Sequence, residues 1–171
     1  MERRSQHPCD ESSKNQIGSL ISVHIDQKQR KLPIASASVE AAALFLLRAK
    51  RAACEEIAFH FVSKKKIAAL HKKYFNDPAP TDCISFPIDA KFCLGEIFIC
   101  PETALEYAED HRLDPYEEAT RYLIHGILHL LGYDDLEELG RRRMKREENR
   151  CLKLLKAKKL LLKKKKLAPI D

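Results

Sequence analysis

The sequence predicts a single α/β (or α+β) domain, with one sheet of about four strands packed with about five helices. Three observations predict it. Segments alternating apolar and polar residues intermix with segments of helical period, a pattern of strands and helices sharing one core. Turn-forming residues gather between them, most densely over Asn76-Asp77-Pro78-Ala79-Pro80-Thr81-Asp82. The 171 residues are 44% apolar, enough for one domain of ordinary size.

Residues 1–17 are polar and aperiodic, so they read as a flexible extension. Ile21-Ser22-Val23-His24-Ile25-Asp26 alternates as a half-buried strand does. Ser38 is placed to cap a helix, with Glu40 close behind, and Ala41 to Ala53 carries its apolar period. A second strand is expected over Ile57–Val62, then Ser63 capping a helix from Lys64 to about Phe75. Ile84-Ser85-Phe86-Pro87-Ile88 alternates again, with Pro87 confining it to an edge or a strand end. Leu94–Cys100 is the fourth strand, and Pro101 opens a helix to His111. Asp114-Pro115 begins the next helix, with Glu117 and Glu118 in the first turn, where negative charge is favoured. A last helix runs from about Leu136 into a lysine-rich end. The domain is expected to span 18–150, with 151–171 a basic tail.

The chemistry concentrates in His125-Gly126-Ile127-Leu128-His129-Leu130-Leu131-Gly132-Tyr133-Asp134-Asp135. His125 and His129, at i and i+4, share one helix face one turn apart, so both can reach one metal ion. Their helix is apolar nearly all round and should be buried, where two imidazoles need partners. Gly132 supplies the left-handed residue that ends a helix, and Asp134 or Asp135 could then fold back as third ligand. Three protein ligands leave an open position, the arrangement of a catalytic zinc.

Charge and cysteine usage narrow the partners and the compartment. From Arg150 to Ile170 there are eight lysines, one arginine and no acid, so the total of +6 leaves −3 for the rest. A mildly acidic body with a basic end points to a polyanionic partner. No apolar run reaches the roughly 18 residues of a membrane span, and the N-terminal stretch lacks a signal peptide's apolar core. Six cysteines stand without a C-x-x-C pair, as expected of reduced thiols in a cytoplasmic protein.

Three segments together resemble the YbeY endoribonuclease family: His125 to Asp135, Pro80-Thr81-Asp82-Cys83-Ile84-Ser85-Phe86, and Leu94-Gly95-Glu96-Ile97. Met144 and Glu147 stand where that family's last helix has M and E, and the likeness spans about residues 20 to 150. The resemblance implies a mostly parallel four-stranded sheet and one zinc ion held by three histidines. It also implies maturation of ribosomal RNA, notably the 3′ end of the small-subunit RNA, and ribosome quality control, with the small subunit as partner and no small-molecule cofactor. Two positions depart from the pattern. The third histidine is Asp135 here, an acceptable zinc ligand, but a shorter one whose charge makes a bound water a weaker acid. Phe75 stands where the family has an arginine near the metal, and a phenyl ring cannot hold a phosphate.

RNA hydrolysis needs a nucleophile and stabilisation of charge at phosphorus, and an open zinc can serve either need. Zincin helices carry a glutamate between their histidines; this one has Gly126, which argues against a peptidase and suits close packing or close substrate approach. Glu96 is the expected base, from the strand nearest the helix, with a structural carboxylate as the plainer alternative. Tyr133, Thr81 and Ser85 read as packing, turn or strand residues. Lys72, Lys73 and the run Lys163-Lys164-Lys165-Lys166 are the expected RNA-binding cations, attracting phosphates without regard to sequence. The competing class is a non-catalytic ribosome-assembly factor that retains the fold.

Overall fold

The computed structural model describes residues 20–88 and 93–166. Along the chain the elements are β1 (Ser22–Gln27), α1 (Ser36–Ala49), β2 (Glu56–Phe61), α2 (Lys64–Phe75), β3 (Cys83–Pro87), β4 (Cys93–Ile99), α3 (Pro101–His111), α4 (Pro115–Leu130) and α5 (Glu138–Ala157). They form one α/β domain around a four-stranded sheet ordered β1-β2-β4-β3. β1, β2 and β4 run parallel and β3 antiparallel at the edge. Pro87 ends that edge strand, where its missing N–H interrupts no ladder.

Alternation along the strands divides the sheet into two unequal faces. Ile57, Phe59, Phe61, Ile97 and Ile99 are fully buried in the main core, with Val39, Leu46 and Leu47 of α1 and Leu123, Ile124 and Ile127 of α4. The opposite face carries a smaller cluster of Val62, Ile67, Ile84 and Cys100, with Leu70 of α2, Phe86 and Phe98 packed against it. His60 stacks on Phe98 there, ring centroids 4.5 Å apart.

α4 is the most deeply set helix, and local chemistry fixes both its ends. Asp114 caps it by accepting from the backbone N–H groups of Tyr116 and Glu117, and Pro115 occupies the first turn. At the other end Gly132 takes φ +92°, and Tyr133 N–H closes onto the Leu128 carbonyl at 3.0 Å. Gly126 lets the helix lie on the sheet: a Cβ there would fall 2.5 Å from Ile97 Cγ2 and 3.3 Å from Ser85 Oγ. Close packing is therefore what that glycine provides.

Two expectations change. Ser38 is not the cap of α1, which begins at Ser36 with Ala35 in the N-cap position. Its hydroxyl instead donates to the Ala35 carbonyl at 2.6 Å and accepts from Lys163 N–H at 3.0 Å. α5 also continues unbroken through position 150, with Cys151, Leu152 and Leu155 buried in the core. Beyond it Leu162 is buried, its N–H donating to Thr120 Oγ1, and Lys164 forms a bridge with Ile34. The leucines interleaved with the lysines anchor this segment to the domain, a hydrophobic contribution that net charge does not reveal. The extension expected over 1–17 lies outside the described residues.

Candidate metal centre

His125 and His129 project from one side of α4, their side chains 20% and 29% exposed. The tight turn at Gly132 brings Asp135 back over them, its Oδ2 3.6 Å from each Nε2. The two Nε2 atoms are 2.9 Å apart. Asp134 does not join them: its Oδ1 accepts from Leu136 N–H at 3.0 Å and shapes the loop. His125, His129 and Asp135 offer three ligand atoms within 4.8 Å of one another.

The outer hydrogen bonds decide what this cluster can hold. His125 Nδ1–H donates to Glu148 Oε1 at 2.5 Å, and His129 Nδ1–H donates to the Tyr133 carbonyl at 3.0 Å. With both protons on Nδ1, both neutral rings turn an Nε2 lone pair toward the same point. Two lone pairs and a carboxylate repel unless a cation lies among them. Tetrahedral zinc, with bonds of about 2.0–2.1 Å, would set its ligand atoms about 3.3 Å apart, between the separations seen here. The residues therefore fit a metal ion. Burial opposes a charge on His125, but the hydrogen bond and charge of Glu148, with Asp82 and Asp135, outweigh it and raise its pKa above the ordinary imidazole value. The pocket attracts positive charge whether a proton or a metal supplies it.

Glu148 and Asp82 were not singled out from the sequence. Glu148, 8% exposed, is ionised despite its burial, because His125 and Arg121 lower its pKa. Glu147, which the family pattern drew attention to, faces away and pairs with Lys50 and Arg150. Asp82 precedes β3 and its charge acts on His125. Its Oδ1 accepts from Cys83 N–H at 2.7 Å and Thr81 Oγ1 at 3.0 Å.

Other expected site residues lie elsewhere. Gly126 packs on Ile97, so Glu96, one residue away on β4, points to the opposite face. There its carboxylate lies 3.4 Å from His60 Nε2, and the structure does not bring it to the histidines. Lys72 and Lys73 are exposed on α2, which packs on that same far face. Phe75 ends α2 and is 56% exposed. Lys163 to Lys166 lie beside Pro33 and Ala35. The segment enters at Thr120, nine residues before His129, or about 13 Å along the helix axis. Tyr133 is a packing residue whose hydroxyl accepts from Lys50 Nζ at 3.1 Å, and Ser85 Oγ donates to the Gly126 carbonyl.

Comparison with known proteins decides the family. The profile described as Endoribonuclease YbeY matches residues 22–156. The chain belongs to the YbeY family. An "Endoribonuclease YbeY" from Protochlamydia amoebophila is 44% identical over 149 residues, covering 84% of this chain and 99% of that protein. Another from Chlamydia pneumoniae is 42% identical, covering 83% and 96%. A solution structure of a Thermotoga maritima protein superposes with a TM-score of 0.58 at 24% identity, covering 80% of this chain and 91% of the other, a likeness of fold. YbeY membership supports an endoribonuclease role and an RNA substrate. Among the described residues no helix is long and apolar enough to cross a membrane, and the five described cysteines are free.

Proposed function

We propose that this protein is a zinc-dependent, single-strand-specific endoribonuclease that matures the 3′ end of small-subunit ribosomal RNA and serves ribosome quality control in the cytoplasm. One observation carries the metal dependence: in a chain of an endoribonuclease family, two Nε2 lone pairs and the Asp135 carboxylate converge on one point. His125, His129 and Asp135 would hold the ion, which supplies Lewis acidity at the scissile phosphate. Glu148 holds the His125 ring in one tautomer, and the Tyr133 carbonyl does so for His129.

The test is cleavage of a structured ribosomal RNA fragment by untagged protein, with and without chelator, beside His129→Ala prepared identically. Chelator-sensitive cutting that disappears in the variant is the expected result. Equal cutting by both preparations would assign it to a contaminating nuclease and defeat the proposal. A second reading, a non-catalytic assembly factor, is favoured by the exposed phenyl ring at Phe75, where the family pattern has arginine. RNA binding without cutting, reversed by Phe75→Arg, would select it.

A further inference from the structure

α5 presents opposite faces to the core and to solvent. Met144, Glu148, Cys151, Leu152 and Leu155 turn inward. Outward runs a shallow groove of about 430 Å³ lined by Glu138, Arg141, Arg142, Lys145, Arg146 and Asn149. Four cations there face one carboxylate, and among the described residues Glu138 engages only Arg142. Among the described residues Lys145 and Arg146 have no carboxylate within ion-pair distance.

The groove joins the metal centre at two points. Arg141 Nη1 donates to the Leu136 carbonyl at 2.6 Å and to that of Asp135 at 3.4 Å, so it grips the loop carrying the third candidate ligand. Asn149 Oδ1 accepts from Arg121 Nη1 at 2.9 Å, and the same guanidinium reaches Glu148, the partner of His125. Between Arg141 and Asn149 the helix rises about 12 Å, longer than a single phosphate.

We propose that this face of α5 is the track for the RNA backbone flanking the cleaved bond, with Lys145 and Arg146 as its phosphate-binding residues. The inference rests on the endoribonuclease reading above and replaces Lys163 to Lys166 as the main electrostatic contact. Continuity with the ligand loop and with His125 singles out the substrate strand among polyanions. Arginine forks suit phosphate oxygens. A membrane surface does not fit, because insertion needs a free apolar helix face and α5 spends its own on the core.

The experiment measures binding of a single-stranded 12-nucleotide oligouridylate by fluorescence anisotropy across a salt series, using the full chain. Compared with wild type are K145Q/R146Q, K145E/R146E and K163Q/K164Q/K165Q/K166Q, each checked for its thermal midpoint. Single-strand binding loses about 0.7 in the slope of log affinity against log salt for each phosphate contact removed. K145Q/R146Q should therefore flatten the slope by about 1.4, and K145E/R146E should weaken binding further. In cleavage, KM should rise for both with kcat largely kept.

A wild-type slope in both α5 variants overturns the track while leaving the nuclease reading intact. So does loss of the whole slope in the tail variant alone, or loss of phosphatidylserine-vesicle binding with RNA binding unchanged. A wild-type protein that neither binds nor cuts RNA overturns the track together with the reading it rests on.

Discussion

Replacing Glu148 with glutamine keeps the size of the side chain and removes its charge from beneath His125. In the wild type that carboxylate is 8% exposed, accepts from His125 Nδ1 at 2.5 Å and pairs with Arg121. It fixes the tautomer that turns Nε2 outward and makes that nitrogen more basic. Loss of such a partner commonly lowers metal affinity 10–100-fold, or about 1.4–2.7 kcal/mol. Glu148→Ala should cost more than Glu148→Gln, because an amide oxygen can still accept the Nδ1–H and a methyl group cannot. The assay is competitive zinc titration against a chromophoric chelator, with a thermal melt of each protein with and without zinc. At fixed excess zinc the stabilisation by metal should shrink by the same 1.4–2.7 kcal/mol, approximately, since it follows the logarithm of the dissociation constant. Wild-type zinc affinity in both variants, with the fold intact, would refute the positioning role.

Three further outcomes follow from the same geometry. Asp135→Ala should lower bound zinc and Asp135→His should preserve or raise it; full occupancy in the alanine variant, by elemental analysis, would remove Asp135 from the ligand set. Gly126→Ala places a methyl group 2.5 Å from Ile97 Cγ2, an overpacking cost of about 1–3 kcal/mol against a helix-propensity gain of about 1 kcal/mol. The urea midpoint should fall, and a rise would show that α4 can move off the sheet. For Glu147, burial opposes its charge but Arg150 and Lys50 outweigh that and depress its pKa below 4.5. A depressed carboxylate stabilises the fold above its unfolded pKa and loses that contribution as pH falls through the folded value. Glu147→Gln should therefore flatten the decline of stability below about pH 4.5, and an unchanged acid limb in urea melts would contradict the assignment.

Much of the fold was legible because its signals are local. Alternation marked four strands, Asp114-Pro115 marked the start of α4, and Pro87 marked an edge, each from residues within a turn or two of one another. His125 and His129 were legible for the same reason: helical periodicity alone puts them side by side. Helix starts with weak caps were less so, since Ser38 binds backbone groups at Ala35 and at Lys163, 125 residues away.

By itself the sequence determined the histidine pair, the turn that follows it, the alternation of every strand and the excess of lysine at the C-terminal end. Only the tertiary structure decided which face of β4 meets α4, and so that Glu96 points away from the histidines. It set Asp135 rather than Asp134 beside the histidines, brought Glu148 under His125 from 23 residues away, and tied down the lysine-rich segment through Leu162. The physical reason is the range of the interactions. Periodicity, capping and composition act between neighbours in the chain. Which face is buried, and which carboxylate answers a buried imidazole, depends on groups that approach only when α4 lies on the sheet and α5 closes over it.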